Sequence, residues 1–96
     1  MATWKIKAVA EAQNEFYRLP TDVRSRIRDK LRIETCREYP HACSLKGCPG
    51  WYVLRIGGYR IVYAPYCDEI KILLVTAVGL RDDVYREINR RYAKYG

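Results

Sequence analysis

Apolar and polar residues follow two spacings along this chain, one typical of β-strands and the other of helices. Residues 3–7 alternate as Thr-Trp-Lys-Ile-Lys, which predicts a strand with Trp4 and Ile6 directed inward. Residues 69–78 are rich in Ile, Leu and Val, which is typical of a strand buried on both faces at the centre of a sheet. A turn is predicted just before that strand, at residues 65–68.

Apolar residues recur at three- and four-residue intervals in three segments, which predicts three helices. Pro20 ends the first helix, so the first two form a helical hairpin that turns at residues 19–21. The third helix is predicted at residues 82–94. The buried positions are Val9, Ala12, Phe16 and Leu19, then Val23, Ile27 and Leu31 with either Glu34 or Cys36, and finally Val84, Ile88 and Tyr92.

The elements follow one another in the order β-α-α-β-β-β-α, which predicts an α+β fold. We expect the N-terminal strand and the helical hairpin to pack on an antiparallel sheet. The 96 residues suit one small domain that spans residues 1–96. Residues 38–50 contain two prolines and two glycines and are predicted to form a loop.

Residues 51–63 (WYVLRIGGYRIVY) predict a β-hairpin, because Gly57-Gly58 suits a two-residue turn between two strands. A two-residue turn pairs position 55 with position 60, so Arg55 and Arg60 become neighbours on the face away from the core. The opposite face is apolar or aromatic throughout, and we expect it to pack against the helical hairpin. Its members are Tyr52, Leu54, Ile56, Tyr59, Ile61 and Tyr63. Like charges directly opposite each other repel, so the arginine pair is either screened by solvent, neutralised by acidic residues from elsewhere, or arranged to hold an anion.

Basic residues outnumber acidic ones, with 18 Lys and Arg against 11 Asp and Glu and a net charge of +7. Such a surface attracts polyanions, which favours nucleic acid or an acidic protein as a partner over charge that serves solubility alone. No apolar run approaches the roughly 20 residues that cross a bilayer, and the N-terminus lacks the apolar stretch of a secretion signal. We therefore expect a cytoplasmic protein with no membrane partner.

The four cysteines do not have the spacing of a metal site. No C-x-x-C pair occurs and His41, in the predicted loop, is the only histidine, so we expect no zinc site. Reduced thiols are typical of a cytosolic protein. A disulfide among Cys36, Cys43 and Cys48 is the alternative, and the sequence leaves the thiol state of Cys67 open as well.

Five spaced segments carry a likeness to a known family. They are the leading Trp-Lys-Ile strand, the helix end A-x-x-E-F-x-x-L-P at residues 12–20, Leu-Lys-Gly at 45–47, the hairpin at 51–63, and AVGLRDDVY at 77–85. Together they resemble the RelE/ParE toxin superfamily over nearly the whole chain, and more narrowly its RelE branch.

The resemblance implies a toxin of a type II toxin–antitoxin module. The better-known RelE toxins are endoribonucleases that cleave messenger RNA on the ribosome without a metal or another cofactor. A cognate RelB-like antitoxin neutralises them. The resemblance therefore implies the ribosome, mRNA and an antitoxin as partners, the last in a toxin–antitoxin hetero-oligomer.

The resemblance also assigns the chemistry to Arg60, Arg81 and Tyr85, with Arg55 as a further basic residue of the site. Arg60 and Arg81 would bind the phosphate and the transition state, while Tyr85 would stack on the substrate or move a proton. General chemistry agrees, because cleavage by a 2′-hydroxyl passes through a phosphorane whose extra negative charge fixed guanidinium groups stabilise. The alternative for Tyr85 is a helix residue that packs on the sheet.

Four further residues are candidates for RNA binding, and each has a structural alternative. They are Lys46, Trp51, Arg86 and Arg90. Lys46 is otherwise a solvated loop lysine, and Trp51 a packing residue. The two arginines, with Arg91 beside them, form either a solvated helix face or a footprint on ribosomal RNA.

Two positions depart from the best-equipped ribosome-dependent relatives. Val53 stands where a second lysine can occur, and Leu80 where a further basic residue can occur. These departures keep open a degenerate RelE-fold protein that binds its antitoxin without cleaving RNA. A ParE-like inhibitor of DNA gyrase is the other alternative, although that branch lacks the combination of Arg60, Arg81 and Tyr85.

Overall fold

Three helices and a four-stranded sheet make up the described part of the chain, which is residues 4–36, 43–67 and 71–96 of the computed structural model. The elements are β1 Lys5–Ala8, α1 Ala10–Tyr17, α2 Thr21–Thr35, β2 Tyr52–Ile56, β3 Tyr59–Cys67, β4 Lys71–Leu80 and α3 Arg81–Tyr95. Their order and the α+β class are those predicted from the sequence. Thr3 of the first predicted strand, His41 with the loop residues around it, and residues 68–70 of the predicted turn and strand lie outside the described residues.

The strands lie in the order β1-β4-β3-β2, so β4 is flanked on both sides, as predicted. Residues 75–78 of β4 are all buried, which confirms a strand covered on both faces. β3 pairs antiparallel with both β2 and β4, whereas β1 runs parallel to β4. The sheet is therefore mixed rather than wholly antiparallel. A parallel pair needs a long crossover, and the helices and hairpin between β1 and β4 supply one.

Helices α1 and α2 pack on one face of the sheet, where Ala12 and Ile27 are fully buried. This is the face that the alternation in the hairpin predicts to be apolar. The buried hairpin residues in this core are Leu54, Ile56, Ile61 and Tyr63. The predicted buried side of α2 continues to Glu34, which is buried, rather than to Cys36, which is exposed.

Helix α3 packs on the opposite face, which the hairpin pattern alone predicts to lie away from the core. Val84 and Ile88 of α3 form a second buried cluster with Val53 and Val62. The prediction is therefore wrong for much of this face, because α3 begins at the residue after β4 ends and folds back over the sheet. Near the turn of the hairpin, Arg55 remains exposed.

Two predictions fail at the edges of the sheet. Ile6, on the edge strand β1, is 45% exposed rather than directed inward and lies outside the buried cluster that contains Trp4. The turn predicted at Pro65 is strand instead, since β3 continues to Cys67. β2 pairs with β3 no further than Tyr63, so Pro65 lies where one side of β3 no longer pairs with β2, and strands tolerate proline at such an edge.

Candidate functional site

The hairpin turn at Gly57-Gly58 places two arginines side by side. β2 and β3 pair in the predicted register, with Arg55 directly opposite Arg60. Gly57 has a φ of 57°, a conformation that glycine adopts freely and other residues disfavour, so the short turn depends on it. Among the described residues neither arginine has a carboxylate partner, so neutralisation by an acidic side chain there is not observed.

Arg60 is held by the backbone of the turn. Its Nη1 donates to the carbonyl oxygens of Gly57 and Tyr59, both at 2.9 Å. Its Nε is buried and has no hydrogen-bond partner in the part of the chain that the structure describes. The two carbonyl groups thus orient the guanidinium, and no carboxylate among those residues neutralises its charge.

Arg81 and Tyr85 stand at the start of α3, next to the same turn. The backbone N–H of Arg81 donates to the carbonyl of Gly58 at 3.0 Å. The guanidinium carbon of Arg81 lies 5.5 Å from the centre of the Tyr85 ring, which is a cation–π contact. Nη1 of Arg81 also lies 3.3 Å from Oδ1 of Asp82, in an exposed ion pair that water screens. Arg60 and Arg81 therefore both bind the backbone of the same turn, and Tyr85 contacts Arg81.

A cavity of about 340 Å³ beside the hairpin is lined by three of the predicted residues, Lys46, Arg55 and Tyr85. The loop that carries Lys46 is fixed against β2 by backbone hydrogen bonds, among them one from the N–H of Val53 to the carbonyl of Cys43 at 2.8 Å. Two cations and an aromatic ring around one cavity suit a ligand that combines negative charge with a planar group, as a nucleotide does.

Three of the predicted RNA-binding residues lie elsewhere. Trp51 is 3% exposed and packs edge-on against Tyr92, with 4.9 Å between the ring centres. This burial favours the packing alternative for Trp51 over stacking on RNA. Arg86 and Arg90 are exposed on α3, each paired with the acidic residue three positions earlier. RNA binding by these two arginines stays a prediction.

Arg91 is buried rather than part of an exposed arginine stripe. Its two terminal nitrogens donate to both carboxylate oxygens of Glu15 on α1, at 2.6 and 2.8 Å, and one of them also donates to the carbonyl of Thr76 at 3.0 Å. The same carboxylate accepts the N–H of Val78 at 3.2 Å. The hydrogen bonds that Arg91 donates to Glu15 raise the pKa of Arg91. This pair, which sequence spacing does not reveal, fastens α3 and its predicted catalytic residues to α1.

A second polar attachment joins the end of α3 to the start of α1. The Tyr95 hydroxyl donates to Glu11 at 2.6 Å, and the Lys94 ammonium donates to it at 3.1 Å. The Tyr95 hydrogen bond, helped by the backbone of Glu11 and by Lys94, lowers the pKa of Glu11 to about 2. The carboxylate of Glu11 is thus ionised whenever the protein is near neutral pH.

The structure also bears on the cysteines and on metal binding. The structure has free thiols at Cys36, Cys43 and Cys48, so the alternative of a disulfide among these three is wrong. Burial raises the pKa of the Cys48 thiol. Within the described ranges no group of three or more His, Cys, Asp or Glu could hold a metal ion, and no helix is long and apolar enough to cross a membrane.

Known protein families include one whose model matches most of this chain. Residues 6–85 match the model described as ParE toxin of type II toxin-antitoxin system, parDE. No curated protein matches the sequence significantly.

Solved structures of toxins are similar over most of the chain. A mutant of E. coli toxin RelE in the free state, with two arginines replaced by alanine, is 30% identical, with a TM-score of 0.75 over 93% of this chain and 97% of that one. A chain of the intact E. coli RelBE toxin–antitoxin complex is 26% identical, with a TM-score of 0.66 over 81% and 96%. The RelBE2 complex from Mycobacterium tuberculosis contains a chain with the same fold, 19% identical, with a TM-score of 0.68 over 84% and 94%.

Proposed function

We propose that this chain, which belongs to the ParE toxin family of type II toxin–antitoxin systems and is a RelE-like toxin, is a ribosome-dependent endoribonuclease that cleaves mRNA without a metal. We assign the chemistry to Arg60, Arg81 and Tyr85, with Arg55 beside them. The observation that carries the proposal is the hairpin turn, which brings Arg60 and Arg81 together. The carbonyl of Gly57 accepts a hydrogen bond from the Arg60 guanidinium, and the carbonyl of Gly58 accepts one from the backbone N–H of Arg81.

The reaction that this cluster suits is transfer of a phosphoryl group within RNA. A 2′-oxygen bonds to the adjacent phosphorus and loses its proton, the bond from phosphorus to the 5′-oxygen breaks, and that oxygen gains a proton. The phosphorane between these steps carries more negative charge than the phosphodiester. Guanidinium groups that are in place before the reaction stabilise this charge. Tyr85, in contact with Arg81, either moves one of the protons or stacks on a base.

The partners of the protein follow from the same premise. Solved relatives include complexes of RelE with RelB, and a cognate RelB-like antitoxin would bind this toxin in a hetero-oligomer. An acidic antitoxin segment would suit a net charge of +7. The ribosome and its mRNA are the proposed targets in the cytoplasm, and no cofactor enters the reaction.

Induced expression followed by primer extension on cellular mRNA tests the activity. We expect cuts inside codons with the wild type and none with Arg81→Ala, because this substitution removes one of the guanidinium groups that would stabilise the transition-state charge. Arg32→Ala is the matched control, since Arg32 is an exposed arginine of α2 paired with Asp29. Circular dichroism of all three proteins shows whether the fold is intact. Cleavage by folded Arg81→Ala at close to the wild-type rate contradicts the assignment.

Inhibition of DNA gyrase is a second candidate function, which the match to the ParE family model favours. A supercoiling assay with purified gyrase distinguishes it from RNA cleavage. The degenerate toxin is the third candidate, since Val53 is buried and Leu80 is an exposed apolar residue, so neither adds a cation to the site. Harmless expression with retained antitoxin binding would identify that case.

A further inference from the structure

A third arginine lies beside the hairpin turn, on an element that none of the motifs marks as functional. Nη2 of Arg26, on α2, lies 3.8 Å from the point where a Cβ on Gly57 would stand. The carbonyl of the same glycine accepts the Arg60 guanidinium at 2.9 Å. Two guanidinium groups from different elements therefore adjoin one turn residue that has no side chain to cover them.

Arg26 differs from the other described arginines of α2 because its side chain has no partner among the described residues. Arg24 donates to a hydroxyl, Arg28 lies over an aromatic ring and Arg32 pairs with a carboxylate. Arg26 is exposed, and among residues 4–36, 43–67 and 71–96 it has no hydrogen bond, ion pair or ring contact. Since Ile27 is fully buried, the packing of α2 fixes the backbone of its neighbour Arg26 near the turn.

Four arginines thus lie at or next to the turn. Arg26 and Arg60 bring their guanidinium groups to Gly57, while Arg55 pairs with Arg60 across the hairpin and the backbone of Arg81 is bound to Gly58. Within the described residues the only carboxylate paired with any of them is that of Asp82, which is exposed. Clustered like charges repel one another, and such a cluster attracts a polyanion. An arginine fork also binds two oxygens of one phosphate.

We propose that Arg26 binds a backbone phosphate of the RNA that occupies the site, so that the RNA crosses the hairpin turn toward α2. This inference rests on the proposed nuclease function, because the molecule that reaches Arg60 and Arg81 in that reaction is RNA. The phosphate belongs either to mRNA or to ribosomal RNA, which present the same phosphodiester chemistry.

Salt-dependent RNA binding tests the inference without any cleavage. The probe is a short single-stranded RNA with 2′-O-methyl groups, which cannot be cut, and fluorescence anisotropy gives its affinity over a series of salt concentrations. Loss of one phosphate contact lowers the slope of log affinity against log salt by about 0.7 for single strands. We expect this change with Arg26→Ala, a slope close to the wild type with Arg26→Lys, and no change with the control Arg32→Ala.

Binding to ribosomes distinguishes the two sources of the phosphate. If Arg26→Ala weakens binding to ribosomes that carry no mRNA, the residue contacts ribosomal RNA. If it weakens binding only to ribosomes that carry mRNA, it contacts mRNA. Either result supports the proposal. Equal behaviour of Arg26→Ala and Arg32→Ala on RNA and on both kinds of ribosome overturns it, as does a loss confined to antitoxin affinity.

Failure of the proposed nuclease function would look different. A wild-type protein that cuts no mRNA during translation, while its RNA affinity still depends on Arg26, would refute the nuclease and leave the phosphate contact in place. Normal cleavage of mRNA with no effect of Arg26→Ala in any binding measurement would refute the contact and leave the nuclease in place.

Discussion

Replacing Arg91 with methionine is expected to lower the free energy of unfolding by about 3 kcal/mol, because it breaks a buried ion pair. Arg91 makes two hydrogen bonds to Glu15 and one to the carbonyl of Thr76. Methionine keeps much of the length of the side chain and is a good helix former. The substitution therefore removes the charge and the donors with little other change.

The magnitude follows from how deeply the two partners are buried. Removing one partner of a buried pair costs about 3–5 kcal/mol, because the remaining charge is left without compensation. The Arg91 side chain is 8% exposed but that of Glu15 is 27% exposed, so water still reaches the carboxylate and the loss falls at the lower end. Loss of the donor to Thr76, which is part of that total, alone costs about 1–3 kcal/mol.

Urea unfolding followed by circular dichroism measures this difference. Arg86→Met is the matched control, since its ion pair with Asp83 is exposed on the same helix and is worth about 0–1 kcal/mol. The double change Glu15→Gln with Arg91→Met removes both charges and is expected to recover part of the loss. If Arg91→Met costs no more than Arg86→Met, the pair does not stabilise the fold as argued.

Three further experiments test other parts of the structure. Glu11→Gln is expected to reduce the fall in the free energy of unfolding between pH 4.5 and 2. The Tyr95 hydrogen bond lowers the pKa of Glu11 to about 2, so the stability that the ionised carboxylate contributes is lost as pH falls through that value. Urea unfolding at several pH values would contradict this if the variant lost as much stability in acid as the wild type. Iodoacetamide is expected to alkylate exposed Cys43 faster than buried Cys48, whose pKa burial raises, and peptide mass spectrometry that finds equal rates in the folded protein would refute it. Tyr85→Phe is expected to slow mRNA cleavage by about 100-fold if the hydroxyl moves a proton, whereas primer extension with an unchanged rate would leave stacking as the function of the ring.

The hairpin could be predicted from sequence in detail because local rules determine it. A two-residue turn at Gly57-Gly58 puts both arginines of residues 51–63 on one face, whereas a one-residue slip would turn an arginine into the apolar face. The observed pairing of Arg55 with Arg60 is the direct result. Every interaction needed for this prediction lies within one short segment.

The burial of Arg91 could not be predicted, because it depends on two strands of unequal length. β1 pairs with β4 only along residues 72–75, so beyond that point the carbonyl of Thr76 and the N–H of Val78 have no partner from β1. The side chains of Arg91 and Glu15 bind these two groups instead. Charge alone places an arginine in solvent, and no local spacing relates two residues that are 76 positions apart.

The proposed catalytic residues of α3, Arg81 and Tyr85, owe their position partly to contacts that lie outside the site. The N–H of Arg81 holds the first residue of α3 at the turn, Val84 and Ile88 bury its middle, and Arg91 fixes its later part to α1. A transition state is stabilised by groups that need no rearrangement during the reaction, so the rate of cleavage depends on how firmly α3 is held. Arg91→Met is therefore expected to slow mRNA cleavage as well as to destabilise the fold, although Arg91 is buried and contacts none of the residues to which we assign the chemistry. The control Arg32→Met, at an exposed arginine of α2, leaves these contacts of α3 intact and is expected to leave the rate of cleavage unchanged.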